Sequence, residues 1–326
     1  MNSLERLVLG TSVFGWSIKE DSSHELIDLF VSRNGRILDT SDFYSEWVPG
    51  NGGGESEKII GNWLQRSRNR ENIEIITKVG LLSQRKGLSK DNILAASEDS
   101  LRRLKTDYID VYMPHRTPNL EEIEDFVDAF SLLFLSGKIR SIGFSHCDYD
   151  NLQMLVTEFS SRSIPVKYVE DNFNMLEREI FRTTIPWTQG KDLEFIAARG
   201  LAGGFLTGKY KGIQKNRYVR IISGHFLHLF SAGPKAIQQG YRSSLTSASV
   251  SPYLKHDLSD LFGVLQRISR ERGTSVASVV LSWTLSQAGV SKTCVSFRTC
   301  RQLKSTRIFN LEYEEWTQID DVLEKV

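Results

Sequence analysis

The stretch IEIITKVGLLSQRKGLSKDNILAASEDSLRRLKTDYIDVYMPH, residues 73–115, reads as one turn of a pattern that runs through the chain. A short apolar run, IEIITK (73–78), leads into a helical segment, and a second apolar run, YIDVYMPH (108–115), closes the unit. Neither run alternates cleanly between apolar and polar residues, as expected for strands covered on both faces in a parallel sheet. The intervening SKDNILAASEDSLRRLK (89–105) opens at a capping-type serine and ends in a basic last turn, which suits the helix dipole. Strand, helix and second strand make a parallel crossover unit.

The same grammar extends in both directions. Further strand-like runs are RLVLG (6–10), RILDT (36–40), IRSIGFS (139–145), VKYVED (166–171), LEFIAA (193–198) and KTCVSF (292–297), which makes eight in all. Between them, residues 119–138 keep Ile123, Phe126, Val127, Phe130, Leu133 and Phe134 at helical spacing, with Gly137 as the stop. Residues 275–289 place Val276, Val279, Val280 and Trp283 on one stripe between a capping Ser275 and Gly289. Eight β/α units without an interior linker predict an α/β fold: a single (β/α)8 TIM barrel, one domain over residues 1–326, with extra C-terminal helices. A long irregular segment, about 209–256, follows the seventh strand. In a barrel it would overhang the C-terminal mouth, where active sites form, and its aromatic and basic content predicts a lid or clasp.

Composition excludes several classes of function. The 326 residues are 40% hydrophobic and 25% charged, with 41 basic against 40 acidic residues and a net charge of +1. Nothing in that balance asks for nucleic acid or an anionic membrane. Cys147, Cys294 and Cys300 show no metal-ligand spacing and read as reduced thiols. No apolar run approaches the roughly 20 residues that span a bilayer, and MNSLERLVLG carries no signal peptide, so a cytoplasmic protein is expected. His24 reads as a solvated helix position. His225, His228 and His256 fall in the long segment and read as packing or surface residues, so no metal is expected.

Four polar residues stand at successive strand ends. Asp39 closes the second run, Tyr44 follows it, Lys78 ends the third and His115 the fourth. Each alone has an innocent reading as a cap, a solvated end or a satisfied polar residue. A barrel brings all four to one sector of its mouth. A free phenol has a pKa of about 10 and is a poor acid at neutral pH, but a neighbouring ammonium favours the phenolate. Asp39 would hold Lys78 charged, and His115 would orient a carbonyl oxygen or share the proton. Such a group can protonate an oxygen that is gaining negative charge. It has no reductant of its own, so hydride must come from a bound cofactor.

At these residues the chain resembles the aldo-keto reductase superfamily, in the branch whose loop reads D-T-A-x-x-Y-S-x-W-V-P-G-N-x-G-G-E-S-E. Here residues 39–57 read DTSDFYSEWVPGNGGGESE. IITKVG (75–80), SLRRLKTDYIDVYMPH (100–115), GKIRSIGFS (137–145), LAGGFLTGKY (201–210) and ASVVLSWTL (277–285) extend the likeness from about residue 7 to about residue 310. The resemblance implies a (β/α)8 barrel, NADPH or NADP+ as cofactor, and reversible reduction of a carbonyl. It places Asp39, Tyr44, Lys78 and His115 on the family's catalytic tetrad, with Tyr44 as general acid. Gly10 and Thr11 fit the turn approaching the nicotinamide, and Ser145 fits the carboxamide-binding serine.

The resemblance is looser elsewhere on the cofactor side. His146 replaces an asparagine, and Glu170 stands where the family has glutamine. One reading has Glu170 accept from the carboxamide as the glutamine oxygen would, and the other has His146 and Glu170 form a charged pair. AARGL (197–201) puts Ala198 at the usual stacking position, followed by Arg199. The pyrophosphate segment is kept through Leu201, Gly203, Leu206, Thr207 and Lys209. In SFRTCRQLKST (296–306), Ser296, Arg298 and Gln302 remain, and Arg298 suits a 2′-phosphate.

Phe14, Trp16, Trp47, Val48, Arg116 and Thr117 are expected to wall a pocket for a small-molecule carbonyl substrate. A monomer or small homo-oligomer is expected. Three other readings stay open: a nucleotide-binding regulatory subunit with little turnover, a sugar or alcohol dehydrogenase running oxidatively, and a barrel that has lost its cofactor.

Overall fold

The computed structural model describes residues 4–210, 253 and 257–325. Eight parallel strands close on themselves in sequence order, the eighth pairing with the first. They are β1 (Leu7–Gly10), β2 (Ile37–Asp39), β3 (Glu74–Val79), β4 (Ile109–Pro114), β5 (Ile139–Ser145), β6 (Val166–Asn172), β7 (Glu194–Ala198) and β8 (Val290–Val295). The crossovers carry α1 (Glu20–Ser32), α2 (Glu55–Ser67), α3 (Lys90–Leu104), α4 (Ile123–Leu135), α5 (Tyr149–Ser161) and α6 (Thr184–Gln189). Then come α7 (Ser259–Glu271) and α8 (Val276–Ser286), with α9 (Cys300–Ser305) and α10 (Tyr313–Leu323) beyond the last strand. The (β/α)8 barrel with extra C-terminal helices is thus the architecture read from the sequence. The expected lid, 209–256, lies outside the described residues except for Lys209, Tyr210 and Tyr253.

Strand periodicity divides the core in two. Leu7, Leu9, Leu38, Ile75 and Tyr112 point outward and pack under the helices. Val8, Ile37, Ile76, Val111, Met113, Tyr168 and Ile196 point inward and fill the barrel floor. Because successive side chains alternate, the residue two places beyond each inward one also points inward, one layer nearer the C-terminal mouth. That residue is Gly10 after Val8, Asp39 after Ile37, Lys78 after Ile76 and Glu170 after Tyr168. The floor is apolar, and the layer above it carries the charged Asp39, Lys78 and Glu170 beside Gly10, Met113 and Ala198.

Several local readings change. Ser89 sits at the start of α3 but makes no side-chain cap; the carboxylate of Asp125 in α4 takes the Lys90 amide instead, at 3.1 Å. Ser275 does cap α8, accepting from the Ser278 amide. His24 is buried rather than solvated: α1 packs on α2, and its Nε2 lies 3.0 Å from the Ile59 carbonyl. The last strand begins at Val290, in register with Phe195, so Ser296 and Phe297 lie past its end.

Candidate active site

The loop after β2 is tied down by its own small residues. Ser45, at φ 72°, donates its hydroxyl to the Phe14 carbonyl at 2.6 Å. Asn51 donates to the Ser45 carbonyl at 2.9 Å. In the glycine run that follows, Gly52 faces open space while Gly53 and Gly54 pack closely. A Cβ on Gly54, at φ 76°, would meet the Arg103 side chain at 2.3 Å, and one on Gly53 would come within 2.9 Å of the Asp42 carbonyl. Glu57, in the acidic helix start that follows, is fully buried, taking Arg103 Nε at 2.7 Å and the Thr77 hydroxyl at 2.6 Å. This turn fixes where Tyr44 points.

Tyr44 donates its phenol to Asp39 Oδ1 at 3.2 Å. Lys78 donates to Asp39 Oδ2 and stands 3.6 Å from Glu170 Oε2, with the three groups almost wholly enclosed. The Lys78 ammonium is 5.6 Å from the Tyr44 ring centre. The His115 ring packs edge-on to the Tyr44 ring at 5.8 Å, and its Nδ1 lies 3.0 Å from the Ser41 hydroxyl. The four residues picked from strand ends therefore meet, and Ser41 and Glu170 join them.

Burial works to lower the Lys78 pKa, but Asp39 and then Glu170 outweigh it and hold the ammonium charged well above the ordinary lysine value. His115 is pushed well below 6.5 by burial and then by Lys78 and His146, so its imidazole is neutral. Tyr44 departs from expectation. Lys78 does pull its pKa down, but burial and the Asp39 carboxylate push harder, and the phenol ends well above 10. The sequence showed the ammonium; it did not show that the phenol faces a carboxylate in a dry site. Burial and then Asp39 also raise the Glu170 carboxyl, from 4.5 to about 7.

Around this centre, Trp16 and Trp47 meet edge-on at 5.8 Å, and Phe43 packs on Trp47 at 5.3 Å. Phe14 is not on this rim; it is wholly enclosed in the core. Arg116 turns away to pair with Glu122 at 2.8 Å.

The cofactor candidates form a second group. Thr11 is buried and occupied: it donates to the Asp39 carbonyl at 2.7 Å and accepts from Ser56 at 2.7 Å. A Cβ on Gly10 would lie 2.9 Å from both Cys294 Sγ and Ser296 Oγ, so β1 and β8 approach closely there. Ser145 Oγ and Asn172 Oδ1, at the ends of β5 and β6, are buried without a hydrogen-bond partner among the described residues. His146 pairs with Asp171 at 2.9 Å rather than with Glu170, so the charged pair weighed from the sequence does not form.

Leu201, Gly203 and Leu206 lie on a short 3-10 turn (Ala202–Thr207) and its flank, with Gly203 at φ 65° and Gly204 at φ 87°. Arg199, at φ 55°, faces the Tyr253 ring at 5.9 Å. Arg298 lies 5.7 Å from the Trp16 ring centre, and its amide donates to the Gln302 side chain at 2.7 Å. Burial and the nearby Arg298 push the Lys209 ammonium below its ordinary value. Two cations converging on one region suit phosphate, and the unpartnered Ser145 and Asn172 atoms suit an amide-bearing ring at the mouth. A nicotinamide nucleotide fits that donor set.

Sequence reasoning missed Ser41, Cys294 and, behind the site, the buried carboxyls of Asp42 and Glu57, the latter paired with Arg103. Cys294 could have been found as the β8 partner of inward-facing Val8.

The profile of the aldo/keto reductase family matches residues 6–324. The chain is 27% identical to Protein tas of Escherichia coli (strain K12), over 98% of this chain and 92% of that one. It is 26% identical to L-glyceraldehyde 3-phosphate reductase of Escherichia coli O157:H7, over 82% and 75% of the two chains. With a putative aryl-alcohol dehydrogenase, AAD14, of Saccharomyces cerevisiae, the identity is 25% over 86% and 72%. With an eight-stranded parallel barrel and a profile match along nearly its whole length, this chain belongs to the aldo/keto reductase family, oxidoreductases that work with nicotinamide cofactors.

Proposed function

We propose that the protein is an NADP(H)-dependent reductase of a small aldehyde or ketone, a single-domain barrel acting in the cytoplasm as a monomer or small homo-oligomer. The observation that carries this reading is the buried contact chain from Tyr44 through Asp39 to Lys78, with neutral His115 against the tyrosine ring. When bound, the nucleotide supplies hydride to the carbonyl carbon. Tyr44 gives its proton to the carbonyl oxygen as negative charge builds there. Its high pKa keeps that proton in place until then, and Lys78 stabilises the phenolate that remains. Asp39 holds Lys78 in place, and neutral His115 orients the substrate oxygen without adding charge.

Arg298 and Lys209 would hold the phosphates, with Arg298 selecting NADP(H) through its planar fork. Ser145 and Asn172 would meet the amide end. Trp16 and Trp47 offer apolar faces to the substrate.

The test is Tyr44→Phe. Nucleotide binding by fluorescence titration should persist, while carbonyl turnover falls by about 10²–10⁴. Equal turnover by the variant would refute Tyr44 as the acid.

The oxidative direction, as in a sugar or alcohol dehydrogenase, is a second reading. A specific feature favours it: a second carboxylate, Glu170, beside Lys78.

A further inference from the structure

The layer above the barrel floor holds one acid that the proposed proton transfer does not use. Glu170 comes from β6 and reaches across the interior to the lysine of β3, at 3.6 Å, while Asp39 of β2 holds the same ammonium from another side. Glu170 is 4% exposed, and its Oε2 makes no hydrogen bond among the described residues. Ligand-type atoms of Asp39, Glu170 and Cys294 all lie within 4.8 Å of one another. One cation therefore serves two carboxylates. With both ionised the trio carries a net negative charge, and with one protonated it is neutral.

We propose that Glu170 is a charge switch that sets the preference of this site between oxidised and reduced nicotinamide. Ionised, it favours the positively charged oxidised ring and with it alcohol oxidation; protonated, it removes that bias and leaves carbonyl reduction favoured. The inference rests on the nucleotide-dependent reading above. Its physical basis is general: hydride loss turns a neutral ring into a cation, and a buried carboxylate in the same barrel mouth lowers the energy of that cation.

The groups facing Glu170 leave it room to act near neutrality. Lys78 on β3 and Tyr44 in the loop after β2 are both held well above their ordinary values. Cys294 on β8 is likewise pushed well above 9.0 by burial and the two carboxylates. His115 after β4 is pushed well below 6.5. Asp39 on β2 is the neighbouring carboxylate that raises Glu170, and His146 after β5 acts on it in the opposite sense. His146, hydrogen-bonded to Asp171, is raised from 6.5. Burial and Asp39 bring Glu170 to about 7. Of these displaced groups, Glu170 is the one brought to the middle of the neutral range.

The experiment is isothermal titration calorimetry of NADP+ and NADPH with the wild-type protein and Glu170→Gln, at pH 6 and pH 8. In the wild type, the preference for NADP+ over NADPH should rise about 10-fold between the two pH values. That is the size expected of unit charges even about 10 Å apart at an effective dielectric of about 20. In Glu170→Gln most of that rise should be gone. The 2′-phosphate is common to both nucleotides and His146 to both proteins, so the difference between the two pH trends belongs to Glu170. A second measurement needs no variant: at pH 7, NADP+ binding should release more protons than NADPH binding, read from the dependence of binding heat on buffer ionisation enthalpy. The same pH trend in both proteins, or equal proton release by both nucleotides, would overturn the switch and leave the proposed function standing. Failure of either nucleotide to bind at any pH would overturn both.

Discussion

Asp42 offers a sharp test of the electrostatics behind the site. Its carboxyl is fully buried; Oδ1 accepts from the Ser41 hydroxyl at 3.3 Å, and Oδ2 has no partner among the described residues. Arg103, the cation that acts on it, is already committed to Glu57 at 2.7 Å. Burial and then Glu57 raise the Asp42 pKa from 3.8 to about 8, so the folded protein carries it protonated at neutral pH. The unfolded chain loses that proton near 3.8. The contribution of this one group to stability is therefore greatest below the unfolded value, declines as pH climbs toward 8, and levels off above it. Each pH unit in that window costs about 1.4 kcal/mol. At pH 7, about 3 units above the unfolded pKa, the loss is on the order of 4 kcal/mol. Asp42→Asn keeps the shape and the Oδ1 acceptor but has nothing to ionise. It should be more stable than the wild type, by roughly 1–2 kcal/mol at pH 5 and on the order of 4 kcal/mol at pH 7 in urea unfolding. An offset between the two proteins that does not grow with pH would refute the reasoning.

Two further outcomes are expected, beside those given for Tyr44→Phe and Glu170→Gln. Gly61→Ala should destabilise the fold by about 2 kcal/mol or more although alanine favours helix, because its Cβ would sit 2.1 Å from the Arg103 carbonyl and force α2 off α3; a thermal melt matching the wild type would contradict this. The His115 ring resonance, assigned by difference from His115→Gln, should not move between pH 8 and pH 6, and an inflection near 6.5 would show that Lys78 and burial do not hold it neutral.

The barrel was legible because its strands are enclosed on both faces and so stand out as unbroken apolar runs. Asp39, Lys78 and His115 were legible because they interrupt such runs at the same end. What the sequence hid was whatever depends on reach across the interior. Glu170 meets Lys78 although 92 positions separate them, and strand order gives no sign that their side chains share a layer. The net effect on Tyr44 was misjudged for a related reason. Adjacency in sequence reveals the partner charges, while the cost of dehydration appears only once the mouth is closed around the ring. Phe14 and His24 were misplaced because a lone aromatic in a loop and a lone imidazole on a helix carry no mark of which neighbour will cover them.

The division between a greasy floor and an ionisable upper tier has an evolutionary corollary. Cohesion comes from Val8, Ile37, Ile76, Val111, Met113, Tyr168 and Ile196, none of which touches the chemistry proposed above. A lineage can therefore vary a residue one storey higher, such as Glu170, without renegotiating how the barrel folds. Depth inside the cylinder separates the residues that hold the barrel together from those that carry its charges.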